Sequence, residues 1–418
     1  MAAASAPAVA GPSGRAAPIG LSVLDLVPIP SGSTAGDALR NTIGLARAAE
    51  SWGYRRYWIA EHHLNPGVAG TSPALVVAVV AGATGTIRVG SGAVQLGHQT
   101  PLSVVEQFGL IDALHPGRID LGLGRSLLRR TTDPNRPAGA SSELLAGRGG
   151  DVDTRTERGL LIPARVPLGL LARSPRVALQ SRLLQQPGAQ TPPYAEQIDD
   201  ILALLGGTYR AADGTEAHVI PGEGSGLEVW ILGSSGGESA TVAGERGLPF
   251  AANYHVSPSS VLEAVTAYRQ AFRPQGPTST PSLVVSADVV VAADDASAHR
   301  LASPYGLWVR SIRRGDGAVA YPTPAEAAAH RWTPADRALV ADRVSTQFVG
   351  SPATVADHLE VLAADTGAGE LLVTTMTHDH GDRLASYRLL AEEWARRGHT
   401  APAGGADAGR LSPGGPTG

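Results

Sequence analysis

Eight short runs of apolar, largely branched residues alternate with helical patterns between Ile19 and Gly398, and this alternation limits the fold more than any other feature. The runs are "IGLSVLDLV", "YRRYWIAEHH", "IRVGSGAVQLG", "RIDLGLGRS", "EVWILGSS", "LPFAANYHV", "SLVVSADVVVAAD" and "ELLVTTMTHD". Short apolar runs bounded by Gly or Pro read as buried strands; apolar residues three and four apart read as helices. In "DALRNTIGLARAAESWG", Leu39, Ile43, Ala46 and Ala49 keep helical spacing. Asp37 is placed to cap that helix and Gly53 to end it. The next helix starts with Ser72 as N-cap and Pro73 in the first turn. Repeated strand–helix units predict a TIM (β/α)8 barrel. A doubly wound sheet would need G-x-G-x-x-G after the first strand, and "LDLVPIPSGSTAGD" has no such fingerprint.

The rhythm breaks after the fourth strand. Residues 127–193 carry clusters of Arg, Pro, Gly and Ser with only fragments of apolar pattern. A stretch of that length inside a compact domain is either a functional, lid-like insertion or disordered. The barrel is expected over residues 19–398, flanked by flexible tails at 1–18 and 399–418.

Composition removes several chemistries. There is no Cys, and all 34 basic residues are Arg. Thiol nucleophiles, iron–sulfur clusters and Cys-ligated zinc are excluded, as are Schiff bases and a P-loop lysine. The net charge is -4 without a basic block, so no nucleic-acid partner is expected. No apolar run reaches the ~18 residues of a membrane span, and the start lacks the basic region of a secretory leader. The protein is expected to be cytoplasmic, with no membrane association.

In a TIM barrel the chemistry sits at the C-terminal ends of the strands. The second strand ends in Glu61-His62-His63. Neighbours on an extended strand point to opposite faces, so the two imidazoles cannot readily share a metal. Glu61 and His63 share a face, and a ligand set would have to recruit His255 or His378; no metal is expected. His at a barrel mouth suits proton transfer. Asp25 lies in an otherwise apolar strand, where a buried carboxylate needs partners. Gly90 and Gly92 in the third strand mark either a bulge or a place where a flat ring meets backbone. Arg125 follows "DLGLG"; it is either a surface residue or ion-pair partner, or a planar fork for a phosphate. "GSSGGESA" combines permissive glycines, donor serines and a helix start, which suits either a phosphate site or an ordinary Ser-capped helix.

Taken together, "YWIAEHH", "IRVGSGAVQLGHQTPLSVVEQFGLIDALHPGRIDLGLGRS" and "LGSSGGESA…GLPFA" resemble the bacterial luciferase-like flavin monooxygenases. The likeness is close over 19–126 and looser over 194–397, and the branch it is most similar to contains natural-product tailoring oxygenases. It implies a TIM barrel with a mobile lid after strand four. It implies reduced FMN, or a deazaflavin in other branches, at the mouth, with O2 as co-substrate and reduced flavin from a separate NAD(P)H flavin reductase. His62 would be the catalytic histidine, with His63 beside it. A non-proline cis peptide would fall at Gly92–Ala93, against the flavin. Arg125, Ser234, Ser235 and Gly236 would hold the flavin phosphate, although this loop carries one Gly more than the family's usual spacing before "ESA". A small organic substrate such as a polyketide or other secondary metabolite, and a homodimer through helices two and three, are implied as well. The alternatives are a deazaflavin-dependent hydride-transferring oxidoreductase, a non-catalytic flavin-binding protein and a metal-dependent hydrolase.

Overall fold

The computed structural model describes residues 17–125, 128–129, 139–140, 150–166, 171, 174–275 and 279–399. Most of the expected tails, and part of the expected lid, lie outside the described residues.

All eight expected strands form: β1 Gly20–Asp25, β2 Arg56–Ile59, β3 Arg88–Ser91, β4 Ile119–Gly124, β5 Glu228–Gly233, β6 Phe250–Asn253, β7 Leu283–Val291 and β8 Glu370–Thr374. Every neighbouring pair is parallel, and β8 pairs with both β1 and β7. The ring closes where β4 meets β5, with Gly124 opposite Leu232. The protein is a TIM barrel. The helices that follow the strands are α1 Ala35–Ser51, α2 Pro73–Ala83, α3 Pro101–Leu114, α4 Tyr194–Leu205, α5 Glu238–Glu245, α6 Val261–Ala271, α7 Pro352–Thr366 and α8 His380–Arg396. No described helix is long and apolar enough to cross a membrane.

Strand parity sorts the side chains. Leu24, Trp58, Trp230, Val284 and Leu372 pack with one another inside the ring, whereas Val23, Tyr57, Ile231, Val285 and Leu371 join the layer between strands and helices. The helix ends follow local chemistry. Thr34, not Asp37, is the N-cap of α1; Asp37 sits three residues in and completes a capping box with it. Gly53 takes a φ of +83° just past the helix end.

The N-terminal end of the ring is plugged by charge. Asp120 accepts hydrogen bonds from Arg56 and Trp58 at 2.8 Å each and from Arg88 at 2.7 Å. The Arg56 guanidinium lies 4.7 Å from the Trp230 ring centre. This charged floor fills the N-terminal end of the ring.

A second excursion, which the sequence reading left unassigned, follows β7. It carries helices Asp295–Ala302, Tyr305–Arg314, Pro324–Ala329 and Pro334–Ser345 and a short strand, Phe348–Gly350, that pairs with the upper half of β7. Tyr305, Trp308 and Tyr321 from this segment join Trp58 and Trp230 in the inner cluster. Buried Arg343 bonds both Asp288 at the top of β7 and Tyr305. This segment therefore packs against the inside of the ring from the mouth side.

Candidate active site

Beyond β2 the strand parity continues through the triplet. Ala60 packs in the inner cluster. Glu61 and His63, one residue to either side of His62, turn to the other face and meet each other: His63 Nε2 lies 2.7 Å from Glu61 Oε1. The two imidazoles thus serve different surroundings, as an extended chain requires.

His62 is half-buried, and its backbone N–H donates to Gly70 O at 2.7 Å. Its Nδ1 is shielded from solvent and has no hydrogen-bond partner. Burial drives this imidazole down to about 4, against the opposing pull of Glu61. His62 is therefore neutral at physiological pH.

His255, two residues past β6, is a second imidazole at the mouth. Its Nδ1 is 2.5 Å from Ser286 Oγ on β7. Burial takes it down to about 3, with Arg343 and His62 acting in the same direction. His378, the other expected recruit to a metal set, instead bonds Ser31 O at 3.0 Å.

The third member beside Glu61 and His63 is His98, from the turn before α3, which the sequence reading missed. His98 Nε2 lies 2.7 Å from the same Glu61 Oε1. Glu61 Oε2 accepts the Gln95 backbone N–H at 2.9 Å, and Gln95 Nε2 returns a bond to Glu61 O at 2.8 Å. Burial opposes ionisation of Glu61, but these donors outweigh it and lower its pKa.

The Gly92–Ala93 peptide is cis. The β3 glycines have packing reasons of their own. A Cβ on Gly90 would stand 2.4 Å from Asp120 O, and one on Gly92 would stand 2.8 Å from Leu24 Cδ1. Closeness to neighbouring protein atoms is thus one reason for glycine at both positions.

Because β4 pairs with β5, their ends converge. Arg125 donates from Nη1 to Glu238 Oε2 at 2.8 Å, across to the first residue of α5. The "GSSGG" turn enters that helix through Gly237, and no side chain caps it. Ser234 O accepts from Ser260 Oγ at 2.5 Å, which fixes the turn from behind. A Cβ on Gly236 would meet the Glu263 side chain at 2.9 Å. Arg125, Ser234, Ser235 and Gly236 thus share one end of the mouth. Tyr194, at the start of α4, packs buried beneath them with its hydroxyl 3.4 Å from Leu123 O. No sequence signal marked it.

Asp25 proves structural. It accepts from Val27 N at 2.7 Å, Thr42 Oγ1 at 2.6 Å and Arg383 at 2.8 Å, tying β1 to α1 and α8.

The family model described as luciferase-like monooxygenase matches residues 20–134 and 184–370. A luciferase-like monooxygenase of Escherichia coli K12 is 32% identical over 376 residues, covering 90% of this chain and 96% of that protein. The crystal structure of apo-MsnO8 is 32% identical with a TM-score of 0.70, covering 90% of this chain and 98% of that one. The oxygenating constituent of 3,6-diketocamphane monooxygenase from Pseudomonas putida, a type II Baeyer–Villiger enzyme solved with FMN, has a TM-score of 0.57 at 19% identity over 91% and 98% of the two chains, a likeness of fold alone.

Proposed function

The chain belongs to the luciferase-like monooxygenase family, and from that premise we propose that it uses reduced FMN and O2 to oxygenate a small organic molecule, such as a polyketide or another secondary metabolite. The observation that carries this reading is the unpartnered, buried Nδ1 of His62 at the mouth. A buried ring nitrogen without a partner costs stability and is retained where a bound group or reacting atom will meet it. Arg125 and the Ser234–Gly236 turn fit a flavin phosphate. The Arg125 guanidinium and an uncapped helix start lie at one end of the mouth and both favour an anion, which would have to compete with Glu238 for Arg125. Reduced flavin would supply the electrons that activate O2. His62, neutral and shielded, would accept or return a proton there, and the Trp308 and Tyr321 side chains would keep water away. His63 would act from behind, through Glu61.

Two partners follow from this reading. One is a separate NAD(P)H flavin reductase supplying the reduced flavin. The other is a second copy of the chain: Leu75 and Val79 on α2, and Leu102, Leu110 and Leu114 on α3, are all exposed. Exposed apolar side chains on two helices that contact each other suit an interface.

The test is anaerobic titration with photoreduced FMN, then rapid mixing with oxygenated buffer. We expect binding, and a bound flavin that reoxidises with a spectrum and rate unlike those of free FMN. The His62→Ala protein should bind within a few-fold but lose that difference. No binding of reduced FMN, together with binding of a reduced deazaflavin, would replace this reading with hydride transfer.

A further inference from the structure

We propose that Glu61 is a positioning residue, whose carboxylate clamps His63, His98 and the Gln95 backbone and so holds His62 and the Gly92–Gln95 segment in fixed relation. The clamp rests on the reading of the mouth as the active site, because its purpose is to orient groups there.

A carboxylate only accepts hydrogen bonds, so each contact fixes a donor. His63 and His98 must both present Nε2–H to Oε1, at 2.7 Å each, while Oε2 takes the Gln95 N–H at 2.9 Å. The Glu61 side chain is fully buried, and those of His63 and His98 are 17% and 6% exposed. Charge-assisted bonds in such a setting are short, directional and strong. The His63 main chain is held in turn, its carbonyl accepting from Asn65 Nδ2 at 2.8 Å. Since Glu61 and His63 occupy one face of the extended chain, pinning them fixes the opposite face, which His62 occupies. Gln95 lies two residues beyond the Gly92–Ala93 bond, so the same carboxylate sets both walls of the mouth.

Two imidazoles and one carboxylate are also a zinc-type donor set, and these ligand atoms all lie within 4.8 Å of one another. The spacing decides between the two. Zinc held at about 2.0–2.1 Å in a tetrahedron keeps its donors roughly 3.3 Å apart. The carboxylate–imidazole gaps here are 2.7 Å, the length of hydrogen bonds.

The test compares Glu61→Gln, His98→Gln and His98→Leu in the full chain. An amide at 61 turns an N–H toward donors, so Glu61→Gln should lower product formation roughly 100-fold, the cost of a small misplacement of reacting groups. His98→Gln keeps a donor of similar reach and should stay within a few-fold of the parent, whereas His98→Leu should follow Glu61→Gln. A second measurement needs neither flavin nor turnover. In 15N-labelled protein, His63 and His98 should each show a protonated Nε2 in a strong hydrogen bond, lost in Glu61→Gln. Those imidazole signals with no flavin binding would keep the clamp and remove the functional reading. About one equivalent of zinc in the purified protein, or imidazole signals unchanged in Glu61→Gln, would overturn the clamp.

Discussion

At the residue scale, the side chains next to His62 in the sequence bond each other rather than His62. Parity separates His62 from Glu61 and His63, and an alternating chain makes that separation readable from the triplet alone. The contribution of His98 was not readable, because nothing local says which later turn will arrive beside Glu61. The neutral state of His62 carries a stability prediction. An imidazole whose pKa falls from 6.5 in the unfolded chain to about 4 in the folded one takes up its proton earlier when unfolded. Its contribution is therefore complete above about pH 6.5 and lost as the pH falls toward 4. His255 acts in the same sense. Thermal melts between pH 8 and 4.5 should show a falling midpoint below pH 6.5, with the slope reduced in His62→Gln. A parallel decline in both proteins would show that His62 is not held neutral.

At the scale of the element, glycine has opposite meanings at two positions. Gly122 lies in β4, where a Cβ would come within 2.0 Å of Ser91 O. Ser91 Oγ and the Gly122 backbone exchange bonds of 2.8 and 3.0 Å at that point, so the strands cannot part without loss. Gly82 lies exposed in α2, where a Cβ would meet nothing within 4 Å. Gly122→Ala should destabilise the fold by about 3 kcal/mol, as overpacking does. Gly82→Ala should stabilise it by about 0.5–1 kcal/mol, by removing backbone entropy from the unfolded chain. Urea unfolding of the two variants measures both signs. A strand glycine announces close approach in the sequence, but that the approaching atom at Gly122 comes from β3 is identified only by the assembled sheet. In the same way, Thr34 rather than Asp37 caps α1, because the cap depends on where the chain leaves its extended conformation.

At the scale of the whole molecule, the proposed homodimer would set the exposed apolar side chains of α2 and α3 against a second barrel. Leu75 and Leu110 are 70% and 57% exposed, so substitution there disturbs little of the monomer core. Sedimentation should show a dimer for the parent chain and a monomer for Leu75→Glu combined with Leu110→Glu, with the thermal midpoint of the barrel little changed. A parent protein that sediments as a monomer would remove the interface. The sequence by itself determined the eight strands, the flanking helices, the faces of the E-H-H triplet and the family, because periodicity, capping and motif spacing are properties of nearby residues. Only the tertiary structure decided that β4 closes onto β5 and brings Arg125 to the Ser234 turn, that His98 meets Glu61, and that the segment after β7 packs against the inside of the ring. Those contacts join residues far apart in the chain. Their existence depends on the closure of the whole ring, which no local pattern encodes.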